Sequence, residues 1–82
     1  MYEIGWDPAA IDGLAVLALL YPNRWADINS AVDLIEYRIQ RSPMAYGREV
    51  SEGLWRIDVE PIGISFTMAG QEITIESIGW TA

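Results

Sequence analysis

Residues 54–80 read LWRIDVEPIGISFTMAGQEITIESIGW, a stretch in which apolar and polar side chains alternate. Alternation with a period of two residues is typical of strands that have one buried face. Two turn signals, Glu60-Pro61 and Ala69-Gly70, divide the stretch, and the glycine of the second turn can take a positive φ. The stretch therefore predicts three consecutive strands that pair as an antiparallel meander.

A break in this alternation predicts a β-bulge in the last strand. Ile73 and Ile75 keep the two-residue spacing, but the next apolar side chain is Ile78. One extra residue near Glu76-Ser77 returns the apolar side chains to the buried face.

The N-terminal half predicts one strand followed by two helices. Residues 2–6 alternate like a strand, and Asp7-Pro8 is typical of a helix start with an aspartate cap and a proline in the first turn. The first helix is expected over residues 8–21, because Pro22 cannot continue it.

A second helix is expected from Arg24 to about Arg41, with Asn23 as its N-cap. Its apolar residues fall three and four positions apart, as in an amphipathic helix. Residues 43–53 contain proline, glycine and mixed charge, so a loop is expected there. The helical stripe and the strand alternation together predict a core that contains Trp25, Ile28, Val32, Ile35, Trp55, Ile57, Ile64, Phe66 and Ile75.

The order of the elements predicts the fold class. Strand, helix, helix, strand, strand, strand is typical of an α+β fold, β-α-α-β-β-β, in which a helical hairpin packs on an antiparallel-rich sheet. The 82 residues are expected to form a single domain, residues 1–82.

Composition excludes several kinds of chemistry. The sequence contains no Cys, His or Lys, and its five cations are all arginines. This excludes disulfides, thiolate nucleophiles, imidazole catalysis and Cys/His metal sites, so no cofactor and no metal are expected. The net charge of −7 opposes direct nucleic-acid binding, because phosphate contacts require cations. No segment is typical of a signal peptide or a membrane helix, so a cytoplasmic protein is expected.

The second half of the first helix, residues 14–20, is apolar on every side. Helices of this kind are usually buried on more than one side. One sheet cannot cover the whole circumference, so a contact with a second copy or with a small partner protein is expected. The predicted interface residues are Leu14, Val16, Leu17 and Leu20.

Arginines from neighbouring segments form a candidate binding patch for an anion or for an acidic partner. The predicted binding residues are Arg38, Arg41, Tyr46, Arg48 and Arg56. The alternative is that these arginines complement the helix dipole and pair with nearby carboxylates. The outer strand positions carry four acidic residues, Asp58, Glu60, Glu72 and Glu76. Carboxylates in this position more often form a solvated face than an acid–base or metal site.

A succession of short motifs runs from Trp6 to Gly79. It consists of Trp25-x-x-Ile28-x-x-Ala31-Val32-x-x-Ile35, Ser42-Pro43, Gly47-Arg48, Gly53-Leu54-Trp55-Arg56-Ile57, Ile64-Ser65-Phe66 and Ile73-x-Ile75-x-x-Ile78-Gly79. This succession resembles the RelE/ParE superfamily, the toxin halves of bacterial type II toxin–antitoxin pairs, also described as plasmid-stabilisation proteins.

The resemblance implies the same small α+β fold, an antitoxin-like partner, and either ribosome-dependent mRNA cleavage or inhibition of DNA gyrase by a non-catalytic toxin. Of the basic positions that RelE-like nucleases place along the sheet, only Arg48 and Arg56 have a match here. The following strand has Gly63 and Ile64 where the family often has a basic residue. The last strand ends in Gly79-Trp80-Thr81 in place of Gly-Lys-Arg or Gly-His-Arg.

These departures favour a toxin-family protein of a toxin–antitoxin or plasmid-stabilisation type that is non-catalytic and acts by protein binding. One alternative is a residual ribosome-dependent mRNA endonuclease, for which Arg48 and Arg56 are the catalytic candidates. Another alternative is a homodimeric interaction module without a toxin role.

Overall fold

The alternating second half of the chain forms the middle of a five-stranded sheet. A computed structural model describes residues 1–81. The elements in chain order are β1 (Glu3–Trp6), α1 (Pro8–Leu20), a 3₁₀ turn (Pro22–Arg24), α2 (Trp25–Arg41), α3 (Pro43–Tyr46), β2 (Arg48–Ser51), β3 (Leu54–Val59), β4 (Ile62–Ala69) and β5 (Glu72–Trp80).

The strands lie in the order β1-β5-β4-β3-β2, so β4 is central. Strands β2 to β5 pair antiparallel with their neighbours, and only β1 is parallel, to β5. Helix α1 packs on β5, and α2 packs mainly on β3. The predicted α+β fold and the predicted meander are therefore confirmed. No helix within residues 1–81 is long and apolar enough to cross a membrane.

The predicted turn and bulge are both present in the meander. Gly70 has a φ of 60° between β4 and β5. The register of these strands shifts from Ser65 opposite Ser77 to Phe66 opposite Ile75, so Glu76 is the extra residue. Beyond the bulge, Ile78 returns to the side of the sheet that the helices cover.

The predicted loop over residues 43–53 is wrong. Pro43 begins the short helix α3, and the segment from Arg48 then forms β2, which pairs with β3. All four residues of β2 are exposed, so this edge strand has no apolar alternation from which to predict it. Gly53, with a φ of 79°, makes the turn between β2 and β3.

The predicted core is confirmed except at its two tryptophans. Trp55 is half-buried, and Trp25 is 39% exposed. Trp25 is the first residue of α2 and follows a 3₁₀ turn, so it lies at the end of the apolar stripe. The predicted Asn23 cap is also wrong, because Asn23 lies inside that turn and Arg24 precedes α2 without a side-chain cap.

Helix α1 buries one narrow face against the sheet. Leu17 and Ala10 are buried, and Leu14 packs against the core. Leu17 is therefore a core residue and does not belong to an exposed interface, which corrects its predicted role. Val16 and Leu20 are exposed, as is Leu19. The contact of this helix with another chain stays a prediction.

We predict that Gly47→Ala lowers the free energy of unfolding by about 1–3 kcal/mol, the usual cost of overpacking. A Cβ on Gly47 would lie 2.8 Å from the Pro43 carbonyl oxygen and 2.9 Å from Cζ of the buried Phe66 ring. Urea denaturation measures the effect. The matched control is Gly79→Ala, where a Cβ meets no atom of the described residues within 4 Å, and it should change stability by less than about 0.5 kcal/mol. Equal free energies of unfolding for the two variants would contradict the close packing of Gly47 against Pro43 and Phe66.

Candidate functional site

The face of the sheet opposite the helices carries polar side chains in register across four strands. Arg48 of β2 lies opposite Arg56 of β3, which lies opposite Ser65 of β4. Ser65 in turn lies opposite Ser77 of β5. We call this polar side the open face, because the helices pack on the apolar side chains of the other face.

An ion-pair cluster occupies the β2–β3 end of the open face. Arg56 and Asp58 are two residues apart on β3 and therefore share this face. Nε of Arg56 donates to Oδ1 of Asp58 at 2.9 Å, and Nη1 of Arg48 lies 3.6 Å from Oδ2 of the same carboxylate. One carboxylate therefore faces two guanidinium groups.

This cluster lies over the backbone of Gly63. Gly63 is opposite Asp58 in the sheet, and a Cβ there would collide with Oδ1 of Asp58 and with Nη2 of Arg56. Gly63 is buried, although its face of the sheet carries no helix. Glycine is therefore the residue that lets the ion pair lie flat on the strand.

The rest of the open face forms hydrogen bonds within the sheet. The hydroxyls of Ser65 and Ser77 bond to each other, and Oγ1 of Thr67 donates to Oε2 of Glu76 at 2.9 Å. No buried side-chain nitrogen or oxygen in residues 1–81 lacks a hydrogen-bond partner. The polar atoms of this face are thus largely engaged with one another.

The chemistry available on this face is that of two arginines, one paired carboxylate and several hydroxyls. Arg48 keeps 65% of its side chain exposed, so part of its guanidinium remains available to an anion. In the described part of the chain, no group of three or more acidic side chains is placed to hold a metal ion. The arrangement suits contact with an acidic group better than a proton-transfer reaction.

The other predicted binding residues make different contacts. The Arg38 guanidinium lies 5.1 Å from the centroid of the Tyr46 ring, and that of Arg41 lies 3.7 Å from the centroid of the Tyr37 ring. Arg48 and Arg56 instead share Asp58, so contacts divide the predicted patch into a sheet group and a helix group. A binding role for either group stays a prediction.

From the sequence, Asp58 is expected only as one of the carboxylates on the outer strand positions. The i, i+2 spacing of Arg56 and Asp58 is the signal for their pairing. No comparable signal places Arg48 beside Asp58, because its strand was predicted as a loop.

Trp80 is the last residue of β5. It stacks on Tyr21 with ring centroids 4.1 Å apart, and the Arg24 guanidinium lies 5.2 Å from its ring. Trp80 thus packs within its own chain.

Comparison with known proteins gives matches only at the level of structure. No protein-family model and no curated protein sequence matches the chain. A structure of the chromosomal ParDE toxin–antitoxin system from P. aeruginosa matches with a TM-score of 0.80 and 20% sequence identity, over 100% of this chain and 98% of that chain. The chain has the RelE/ParE toxin fold.

A second structure has the same architecture. The RelBE2 toxin–antitoxin complex from Mycobacterium tuberculosis matches with a TM-score of 0.72 and 14% identity, over 96% of each chain. At these identities the likeness establishes the fold alone. The RelE/ParE fold expected from the short motifs is therefore confirmed, and the activity is argued from the site.

We predict a weak, salt-sensitive coupling between Arg56 and Asp58. A double-mutant cycle with Arg56→Gln and Asp58→Asn should give about 0.2–1 kcal/mol, because both side chains are about a third exposed. The coupling should fall at high ionic strength. The cycle for Arg48 and Asp58, whose atoms are farther apart, serves as the comparison and should give less. A larger value for the Arg48 cycle would contradict this geometry.

Proposed function

We propose that this chain is a toxin-family protein of a toxin–antitoxin or plasmid-stabilisation type that is non-catalytic and acts by binding another protein. The observation that carries the proposal is that Arg48 and Arg56 share the Asp58 carboxylate on the open face. The positive charges of Arg48 and Arg56 already face a carboxylate of the same chain. The RelE/ParE fold supplies the class of protein, and this cluster argues against RNA cleavage.

RNA cleavage requires cations that hold the phosphate and stabilise its developing charge, together with a base for the 2′-hydroxyl. The open-face positions of β4 hold glycine, serine, threonine and alanine, and those of β5 hold glycine, serine, threonine, Glu72 and Glu76, with no cation among them. The whole chain carries a net charge of −7, which repels a polyanion. Both the local and the global charge therefore favour a protein partner.

Helix α1 provides an apolar surface for such a partner. Ile11, Val16, Leu19 and Leu20 are all at least half exposed, and Leu19 reaches 82%. No charged residue follows Asp12 in this helix. Exposed apolar patches of this kind are typical of protein contacts. The two matching structures described above are toxin–antitoxin assemblies, which supports a small antitoxin-like partner, with a second copy of the chain as the alternative.

The alternative of a ribosome-dependent mRNA endonuclease has one observation in its favour. Asp58 lies within 3.6 Å of both Arg48 and Arg56, so a carboxylate and two cations meet on one face. These are residue types that could act as base and phosphate ligands. Their mutual pairing makes this the second candidate.

We predict no ribosome-dependent mRNA cleavage when the purified protein is added to a translating extract and transcript ends are mapped. The reason is that the open face lacks cations beyond the paired Arg48 and Arg56. Arg24→Ala, which removes a cation paired with Asp27 on the helical side, is the control for Arg56→Ala. Cuts in the ribosomal A site that disappear with Arg56→Ala and persist with Arg24→Ala would establish the endonuclease instead.

We also predict that the purified protein associates, either with itself or with a co-purifying small protein. Light scattering at micromolar concentration should give a mass above 9.2 kDa. Leu19→Gln should reduce that mass without changing stability by more than about 0.5 kcal/mol, because the side chain is exposed. Val50→Thr, at an exposed apolar residue of the edge strand, should leave the mass unchanged. A 9.2 kDa monomer with no retained partner would contradict the proposed α1 contact.

A further inference from the structure

The outer side of α2 presents a second surface, distinct from α1 and from the open face. Residues three, four and seven positions apart lie on one side of a helix, and this spacing relates Leu34, Tyr37, Arg38 and Arg41. Helix α3 adds Met44 and Tyr46, and the contact of Arg38 with Tyr46 joins the two helices. We call these six residues the α2–α3 patch.

The patch has the composition of a protein-binding surface. Tyr37 is 57% exposed, Met44 62% and Tyr46 53%, and Leu34 is also exposed. Tyrosine, arginine and methionine are enriched in protein interfaces, and tyrosine and arginine are among the commonest residues of binding hot spots. Large apolar and aromatic side chains left in water beside two arginines favour contact with another chain.

The two arginines of the patch differ from the other three. Arg24, Arg48 and Arg56 each pair with an aspartate. Within residues 1–81, no carboxylate lies within ion-pair distance of Arg38 or Arg41, although the chain contains twelve acidic residues. Their position in the last turn of α2 complements the helix dipole, but it leaves the guanidinium hydrogens available.

Contact with the tyrosine rings holds these guanidinium groups in place. Arg41 lies 3.7 Å from the Tyr37 ring centroid and also donates from Nη1 to the Tyr37 carbonyl oxygen at 3.2 Å. A guanidinium stacked on a ring keeps its in-plane donors for a carboxylate. Because the side chain is already ordered, less conformational entropy is lost when a ligand binds.

No acidic side chain of α2 forms an ion pair with an arginine of the patch. The carboxylate of Glu36 accepts a hydrogen bond from the Trp6 indole on the other side of α2. Asp33 lies one turn before Tyr37 on the same side of the helix, outside the six residues of the patch. The patch is therefore a local concentration of positive charge on a protein whose net charge is −7.

We propose that the α2–α3 patch is a docking surface for an acidic segment of a partner protein. The proposal rests on the protein-binding function above and adds the charge of the partner. Carboxylates of the segment bind the guanidinium groups of Arg38 and Arg41, and its apolar side chains pack on the tyrosine rings. Such charge complementarity selects the partner and orients it.

A groove beside the patch extends this surface. It lies between α2 and the β3–β4 turn, has a volume of about 430 Å³, and has Leu34 on its wall. Ala31, Val59 and Pro61 supply further apolar lining, and the remaining lining is polar or charged, from Arg24, Asp27, Ser30 and Glu60. Because Leu34 belongs to both features, an apolar residue of the docked segment has a site next to the arginines that hold its carboxylates.

Panning of a random 12-residue peptide library on the intact protein tests this assignment. The recovered peptides should be enriched in Asp and Glu relative to the library. Their affinity should fall at least tenfold with Arg38→Gln/Arg41→Gln and should weaken as ionic strength rises. Asn29→Asp/Ser51→Asp is the matched control, since it changes the net charge by the same two units at exposed residues outside the patch and the groove, and it should leave affinity within about twofold. Thermal melts confirm that both variants are folded.

Three results would overturn the assignment: no peptide is recovered, the recovered peptides lack acidic enrichment, or their affinity responds to the control variant and not to Arg38→Gln/Arg41→Gln. The second and third results would mean that the protein still binds a partner, but through another surface. Failure of the general function is seen separately, as mRNA cleavage in the translating extract or as a monomer without a partner.

Discussion

The central strand β4 has to be covered on both of its faces, and the fold is built around this requirement. Residues 62–66 are buried in succession, whereas a strand with one solvated face buries every second residue. On the helical side, Phe66 packs on Trp55 and against the chain at Gly47. On the open side, the ion pair of β3 lies over Gly63. The core therefore packs on one face of β4, and the ion pair of the candidate site lies on the other face.

All five arginines have partners inside the chain, and the kind of partner decides what each can still do. Arg24, Arg48 and Arg56 each pair with an aspartate, whose negative charge opposes theirs. Arg38 and Arg41 contact tyrosine rings, which order the side chains while leaving hydrogen-bond donors available. On the sheet only the exposed part of Arg48 stays available to an anion, whereas neither arginine at the end of α2 has a carboxylate opposite it within residues 1–81. This distribution connects the proposal against RNA cleavage with the proposed acidic partner.

The sequence predicts elements well where burial imposes a period and poorly where it does not. Strands β3, β4 and β5 each have one apolar face towards the helices, so their alternation, turn and bulge were predicted correctly. Strand β2 is exposed throughout and was missed. The apolar stripe of α2 was predicted correctly. Its period does not show where the helix extends past the sheet, however, so the prediction that Trp25 lies in the core was wrong.

The missed strand is also the reason that the candidate site was only partly predictable. Asp58 meets Arg56 through local spacing, but it meets Arg48 only because β2 pairs with β3 and sets Arg48 opposite Arg56. Glycine at position 63 is likewise explained only by that cluster. A cationic side chain at Gly63 would displace the ion pair from the central strand. The ion pair over Gly63 is therefore the local reason behind the proposal that this chain acts through its helical surfaces and does not cleave RNA.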